Sequence, residues 1–292
     1  MDYLPHAFYD NIFGQLKKED IEPAQDLPGA FGRVARDHYG KRRELRLSVT
    51  PNMKTKLCSI ELSSVELFRS TPVPFSNLST KYDRITDIRL SEFSQGESVS
   101  FNEALSKISL FLHIASNCSF FTSWKIHNSA VFMKPFFKLL GRSQTFKEVY
   151  TPNYGEECEE FMRKQMKSAH LEELSLPYEP WPSDFQGLVA SWTENPKFRR
   201  LHWYSTMPDY ETIASLLKRW VNGELKRFSV ETNVSFEKHR ILTFLKDLGC
   251  STVEQTFQGT YGTGPEYNSV HKLPGKRSLK LSFRSDHCSL RT

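Results

Sequence analysis

The feature that most constrains this chain is a short apolar pattern that keeps returning: apolar, two residues, apolar, one residue, apolar. Leu171, Leu174 and Leu176 in LEELSLP give the clearest copy, Phe198, Leu201 and Trp203 repeat it in FRRLHWY, and Leu225, Phe228 and Val230 repeat it in LKRFSVE. Successive first positions of these three copies stand 27 residues apart. Phe146 and Val149 lie 25 residues before the Leu171 copy, with Thr151 in the third slot, and Phe121, Trp124 and Ile126 lie 25 residues before that. Ile85, Ile88 and Leu90 come first, after a longer gap of 36, and Cys250 with Val253 makes a degraded last copy. The alternation that closes each copy suits a strand.

The segments between copies carry helix signals. In DYETIASLLKRWVNG, Asp209 is placed to cap, Ile213, Leu216, Leu217 and Trp220 recur at helical spacing, and Gly223 ends the run. SFEKHRILTFLKDLG follows the same plan with Ser235 as cap and Gly249 as stop. SDFQGLVASWTENP, with Ser183 as cap, GEECEEFMRKQMKSAH and FNEALSKISLFLHIAS also read as helices. Parallel strands need crossover connections of a dozen or more residues. Crossovers of one hand, all on one side, place the strands on a concave face with the helices outside. The plan resembles that of leucine-rich repeats, whose unit runs ~20–29 residues. The expected fold class is therefore α/β, with a leucine-rich-repeat-like solenoid over residues 85–257. A doubly wound sheet also alternates strand and helix but does not predict a near-constant period.

Around that array, residues 1–45 read as helical, and 46–84 read as a linker with short strands, ELRLSV (44–49) and LCSIELSS (57–64). Residues 258–292 read as a basic tail in which RSLKLSFRS (277–285) alternates like a docked strand. In the N-terminal segment, Pro5 suits an early helix position. Phe8, Ile12 and Leu16 fall at i, i+4 and i+8 on one helix face. Leu4-Pro5, Phe8, Ile12-Phe13, Leu16 and Asp20-Ile21 together resemble the opening of an F-box. The match covers about the first 40 residues. Ala7 stands where that family favours an acidic residue, and RVARDHYGKRREL replaces its later helix motif. The segment followed by divergent repeats is similar in general appearance to the F-box-like proteins expanded in nematodes. The resemblance implies that Leu4, Pro5, Phe8, Ile12, Phe13, Leu16 and Ile21 dock on the Skp-type adaptor of a cullin–RING ubiquitin ligase. The same helical spacing leaves open an amphipathic helix that only caps the array, since repeat arrays need caps.

Side-chain alternation places the third and fifth motif positions on the concave face: Asp87 and Arg89, Ser123 and Lys125, Glu148 and Tyr150, Glu173 and Ser175, Arg200 and His202, Arg227 and Ser229. Glu148, Tyr150, Glu173, Arg200, His202 and Arg227, with Tyr204 and Glu231 at strand ends, are the candidate target-binding residues. Aromatics and arginines serve well as interface anchors.

The rest of the sequence points away from chemistry. G-x-S-x-G, G-x-x-x-x-G-K-S/T and H-E-x-x-H are absent. Gly259, Gly262 and Gly264 read as a turn, His287-Cys288 as strand neighbours on opposite faces, and His113 as a core histidine. Glu156, Glu157, Glu159 and Glu160 favour a helix start through the dipole. Five widely spaced cysteines form no C-x-x-C motif, and no signal segment or apolar run of membrane length occurs. A reduced compartment, cytosol or nucleus, is the expectation. The expectation is thus a protein-binding module rather than an enzyme, with no cofactor, metal or membrane partner. A weaker alternative is nucleic-acid association through the tail, where six cations stand against two carboxylates.

Overall fold

Pro5, in extended backbone, stands directly ahead of helix α1 (His6–Gln15), the place where its missing N–H costs nothing. The computed structural model describes residues 4–16, 18–65, 71–91, 96–123, 130–143, 146–177, 180–203, 208–233, 237–260, 264–273, 278–284 and 287–292. The chain is α/β and divides into two compact units, Met1–Phe146 and Lys147–Thr292. That division falls inside the stretch 85–257 read above as one array.

In the first unit, α1, α2 (Lys18–Ile21), a 3-10 turn (Glu22–Asp26) and α3 (Gly29–Lys41) enclose their own small core. Tyr9, Phe13, Ile21, Ala30, Val34 and Ala35 are buried in it, and Leu16, Ala24, Phe31 and Tyr39 pack against it. Gly32 is sterically required, because a Cβ there would lie 1.8 Å from the Leu27 carbonyl oxygen. At the end of α1 the Phe13 carbonyl accepts from the N–H of Leu16, the residue after the helix, and arginines add further donors. The buried Arg42 donates to the Phe13 and Gly14 carbonyls, and Arg84 donates to the Gly14 carbonyl. Desolvation pulls the Arg42 guanidinium down to about 10, still charged near neutral pH.

The sheet of this unit runs in the order β5-β3-β1-β2-β4, from β1 (Arg43–Asn52), β2 (Leu57–Ser64), β3 (Asp83–Leu90), β4 (Glu97–Ser100) and β5 (Ala115–Thr122). β3 is parallel to β1 and β5, whereas β2 pairs antiparallel with β1 and β4. Ser100 caps α4 (Phe101–Phe111) by accepting from the Glu103 N–H. α4 packs on α5 (Ala130–Ser143), a helix the repeat pattern did not predict. Phe120, Phe132, Phe136, Phe137 and Phe146 form a buried aromatic cluster. Two sequence expectations need correction here. Ile88 pairs with Phe120, so Phe121 is not a core position, and Trp124 and Ile126 lie outside the described residues. The cause is an irregularity in β5 around Asn117, whose φ is 46°. His113 is exposed on a 3-10 turn after α4, not in the core.

In the second unit, β6 (Glu148–Tyr150), β7 (Glu173–Leu176), β8 (Arg200–Trp203) and β9 (Ser229–Asn233) form a parallel ladder. The connections carry α6 (Glu156–Met166), α7 (Phe185–Thr193) and α8 (Tyr210–Val221), and α9 (Lys238–Asp247) follows β9. Each of these helices touches the next, so they make one layer. Val149, Leu174, Leu176, Leu201, Trp203 and Val230 are buried from the ladder. Asp209 caps α8, accepting from the Thr212 N–H at 2.8 Å, and Gly223 and Gly249 end α8 and α9 with φ of 82° and 79°. Ser183 does not cap α7; the residue ahead of that helix is Asp184, which pairs with Arg163. Ser235 lies outside the described residues.

The ladder register corrects the period. Glu148, Glu173, Arg200 and Ser229 stand side by side, 25, 27 and 29 residues apart. Val230, not Phe228, therefore opposes Leu201. Phe228 and Leu225 are buried as well, in the turn that leads to the strand, so apolar type alone cannot tell the two registers apart. The Cys250 copy adds no parallel strand. The chain continues as an antiparallel meander, β10 (Ser251–Thr260), β11 (Gly264–Lys272), β12 (Ser278–Arg284) and β13 (His287–Arg291), and β13 returns to occupy the free edge of β9. The strand expected near 277–285 is β12. Gly259 and Gly264 sit in the ends of β10 and β11, and Gly262 lies outside the described residues.

Candidate functional site

Two surfaces hold the residues singled out by sequence. On α1, the register that buries Tyr9 and Phe13 one turn apart turns Phe8 outward. Leu4 is 44% exposed and Phe8 47%, and Pro5 is exposed. Ile12 and Leu16 are half-buried, while Phe13 and Ile21 are completely enclosed. The structure thus separates the seven candidates into an outward group, Leu4, Pro5 and Phe8, an inward group, Phe13, Leu16 and Ile21, that belongs to the helical core, and the half-buried Ile12, which is in neither. Leu27, also exposed, was not identified from sequence.

A polar network ties α1 and α3 to the residues ahead of β3. His38, fully buried, lies 3.0 Å through Nε2 from Asp10 Oδ1, and Lys81 Nζ reaches the same oxygen at 3.0 Å. Tyr82 donates to Asp37 at 2.5 Å, and Lys41 pairs with Asp37. Burial would raise the Asp10 carboxyl, but hydrogen bonds from His38 and Lys81 hold it below its ordinary value. Desolvation lowers His38, against the opposing pull of Asp10. The arrangement ties α1 and α3 to each other and to the residues ahead of β3.

The second surface is the half-exposed face of the β6–β9 ladder, opposite its buried side chains. Glu148, Glu173, Arg200 and Ser229 form one row across the strands, and Tyr150, Ser175, His202 and Glu231 form the next. Glu173 and Arg200, direct neighbours, pair at 2.9 Å. Burial raises the Glu173 carboxyl although Arg200 pulls the other way. His202 Nε2 is 3.8 Å from Glu231 Oε2, and burial lowers its pKa despite that carboxylate. Arg227 is exposed in the turn before β9, and the row position expected for it belongs to Ser229. Tyr204 lies outside the described residues. Sequence reasoning missed β13, which adds Arg291 beside Ser229 and Ser289 beside Glu231; Arg291 also pairs with Glu231. The available signal was the alternation of HCSLR, in which Cys288 and Leu290 point inward.

All five cysteines are free and buried, and burial pushes the thiols of Cys58, Cys158 and Cys288 up to about 12. Among the described residues no group of three or more His, Cys, Asp or Glu is arranged to hold a metal ion, and no helix is long and apolar enough to cross a membrane. Compared with protein-family models, with curated proteins and with solved structures, the chain matches none.

Proposed function

We propose that this chain is an F-box-like substrate receptor of a cullin–RING ubiquitin ligase, with a leucine-rich-repeat-like array as its target-binding part. The observation that carries the reading is the outward set on α1. Leu4, Pro5 and Phe8 fall in the register that resembles an F-box, and they are the α1 candidates left exposed while Phe13 packs inward. An apolar side chain exposed on a helix that already has a packed core on its other side is suited to a partner. The Arg42 and Arg84 bonds to the end of α1 would hold a docked adaptor at a fixed orientation. Within the stretch 85–257 read as repeat-like, the strand–helix units of β6–β9, with equivalent positions 25, 27 and 29 residues apart, support that reading. The receptor's contribution would be positioning, with the transfer chemistry in other subunits.

The test is binding of the Skp-type adaptor to the purified chain. Wild type is expected to bind, and Leu4→Asp with Phe8→Asp to weaken binding by about a hundredfold or more, since both are apolar anchors at the centre of the contact. Both side chains are exposed, so the melting temperature should not move. Absence of binding by the wild type, or unchanged binding by the variant, would overturn the reading. A second reading, a repeat-like binding module whose N-terminal helices only cap the array, is favoured by the same arginine bonds, because they fasten α1 to β3 and to the residue before β1 as a cap requires.

A further inference from the structure

In the second unit a groove of about 900 Å³ runs along the edge where β7, β8 and β9 begin. Its lining brings together Lys197 and Arg199 ahead of β8, Arg200 at its first position, and Lys226 and Arg227 ahead of β9. Three carboxylates share the lining, and each is already engaged: Glu172 by Lys147 and Arg199, Glu173 by Arg200, Glu224 by Arg219. Among the described residues Lys197, Lys226 and Arg227 have no carboxylate within ion-pair distance, and all three are exposed. Buried Phe198, Leu225 and Phe228 form the floor. Lys197, Lys226 and Arg227 therefore stand in the turns just ahead of β8 and β9, beside an apolar base, with positive charge left over after internal pairing.

We propose that this groove is a docking site for an extended, carboxylate-rich segment of another protein. Neighbouring strands lie ~4.8 Å apart, and same-side residues of an extended peptide recur about every 6.6–7 Å. The two spacings differ, so a peptide crossing the strand starts meets the cations ahead of β8 and β9 through the reach of their long side chains, with Asp or Glu on its one face, rather than through a matched register. Single-stranded nucleic acid would need exposed aromatic faces for stacking, and the aromatic residues of the lining, Phe198 and Phe228, are buried. The site takes in the first row of the ladder face, Glu173, Arg200 and Ser229, with the turns ahead of it, and it does not depend on the adaptor reading.

The experiment is fluorescence anisotropy on the full chain with a labelled peptide in which Glu alternates with Ser, beside the matched Gln–Ser peptide and oligo-dT. The Glu peptide is expected to bind, and to bind about tenfold more weakly as salt rises from about 0.05 M to about 0.5 M. Lys226→Glu with Arg227→Glu, and separately Lys197→Glu, should each weaken binding by about tenfold or more while leaving the circular-dichroism spectrum unchanged. Lys54→Glu, in the β1–β2 turn, should leave binding as in wild type. No binding of the Glu peptide, equal binding of the Gln peptide, tighter binding of oligo-dT, or indifference to the Lys197 and Lys226/Arg227 changes would overturn the proposal.

Discussion

Arg42 shows how one side chain can decide where a helix sits. It is 3% exposed, yet among the described residues it has no ion pair; its hydrogen bonds go to the Phe13 and Gly14 carbonyls at the end of α1. The Phe13 carbonyl also accepts from the Leu16 N–H and the Gly14 carbonyl from Arg84, so removing Arg42 deletes a charged donor but leaves each acceptor one partner. Arg42→Met keeps the aliphatic stem and loses the hydrogen bonds. It is expected to lower unfolding free energy by about 1.5–3 kcal/mol, the typical worth of hydrogen bonds from a charged group. A denaturant titration would show this as a lower midpoint at unchanged slope. Nothing in the sequence around RVARDHYGKRREL marks Arg42 among its neighbouring cations, because its partners lie 28 and 29 residues away. His38 and Asp10 were hidden for the same reason, since a buried imidazole and a surface one are written alike in sequence.

At the level of elements, the helices of the second unit were legible where local chemistry names their ends. Asp209 and Gly223 bracket α8, and the apolar spacing of Ile213, Leu216, Leu217 and Trp220 gives its buried face. Asp209→Ala removes the acceptor for the Thr212 N–H and hydroxyl and is expected to cost about 1 kcal/mol, measurable as a shift in thermal or denaturant midpoint. Strands β2, β7 and β8 were legible from strict alternation. What failed was register. Around β9 the chain offers Phe228 and Val230 two residues apart, both buried, so a slip of two positions keeps the apolar face inward and leaves no trace in the pattern. β5 failed differently, since the Phe120-Phe121 pair lets either residue be the inward one until Asn117 is known to break the alternation. The candidate ladder face was legible to the same extent: Glu148, Tyr150, Glu173, Arg200, His202 and Glu231 occupy one face as alternation requires. Arg291 was missed because it reaches Glu231 across 60 residues through a strand that returns antiparallel, and no local spacing encodes that pairing.

Across the whole molecule, burial acts on histidine in both units with the same sign. Desolvation lowers His38 in the first unit and His202 and His271 in the second, so the folded chain holds each imidazole neutral more firmly than the unfolded chain does. A group with a lowered folded pKa contributes stability that is fully present above its unfolded value, about 6.5, and is lost as pH falls through its folded value. Asp10, Asp37 and Asp184 are also held below their ordinary value, but their contribution is lost only below about 3.8. Glu173, raised by burial, has the opposite sign and favours the fold on the acid side of its window. Between pH 7.5 and pH 5 the histidines therefore set the slope, and stability should fall as pH drops, well before the aspartates protonate. Denaturant midpoints measured across that interval should decline for the wild type. The triple variant His38→Gln, His202→Gln and His271→Gln keeps polar side chains at these positions but cannot take up a proton. Its midpoint should start lower, because the Asp10 and Ser269 hydrogen bonds are disturbed, and then stay nearly flat. A wild-type midpoint that is constant or rises as pH falls would show that the imidazoles are not held neutral by the fold.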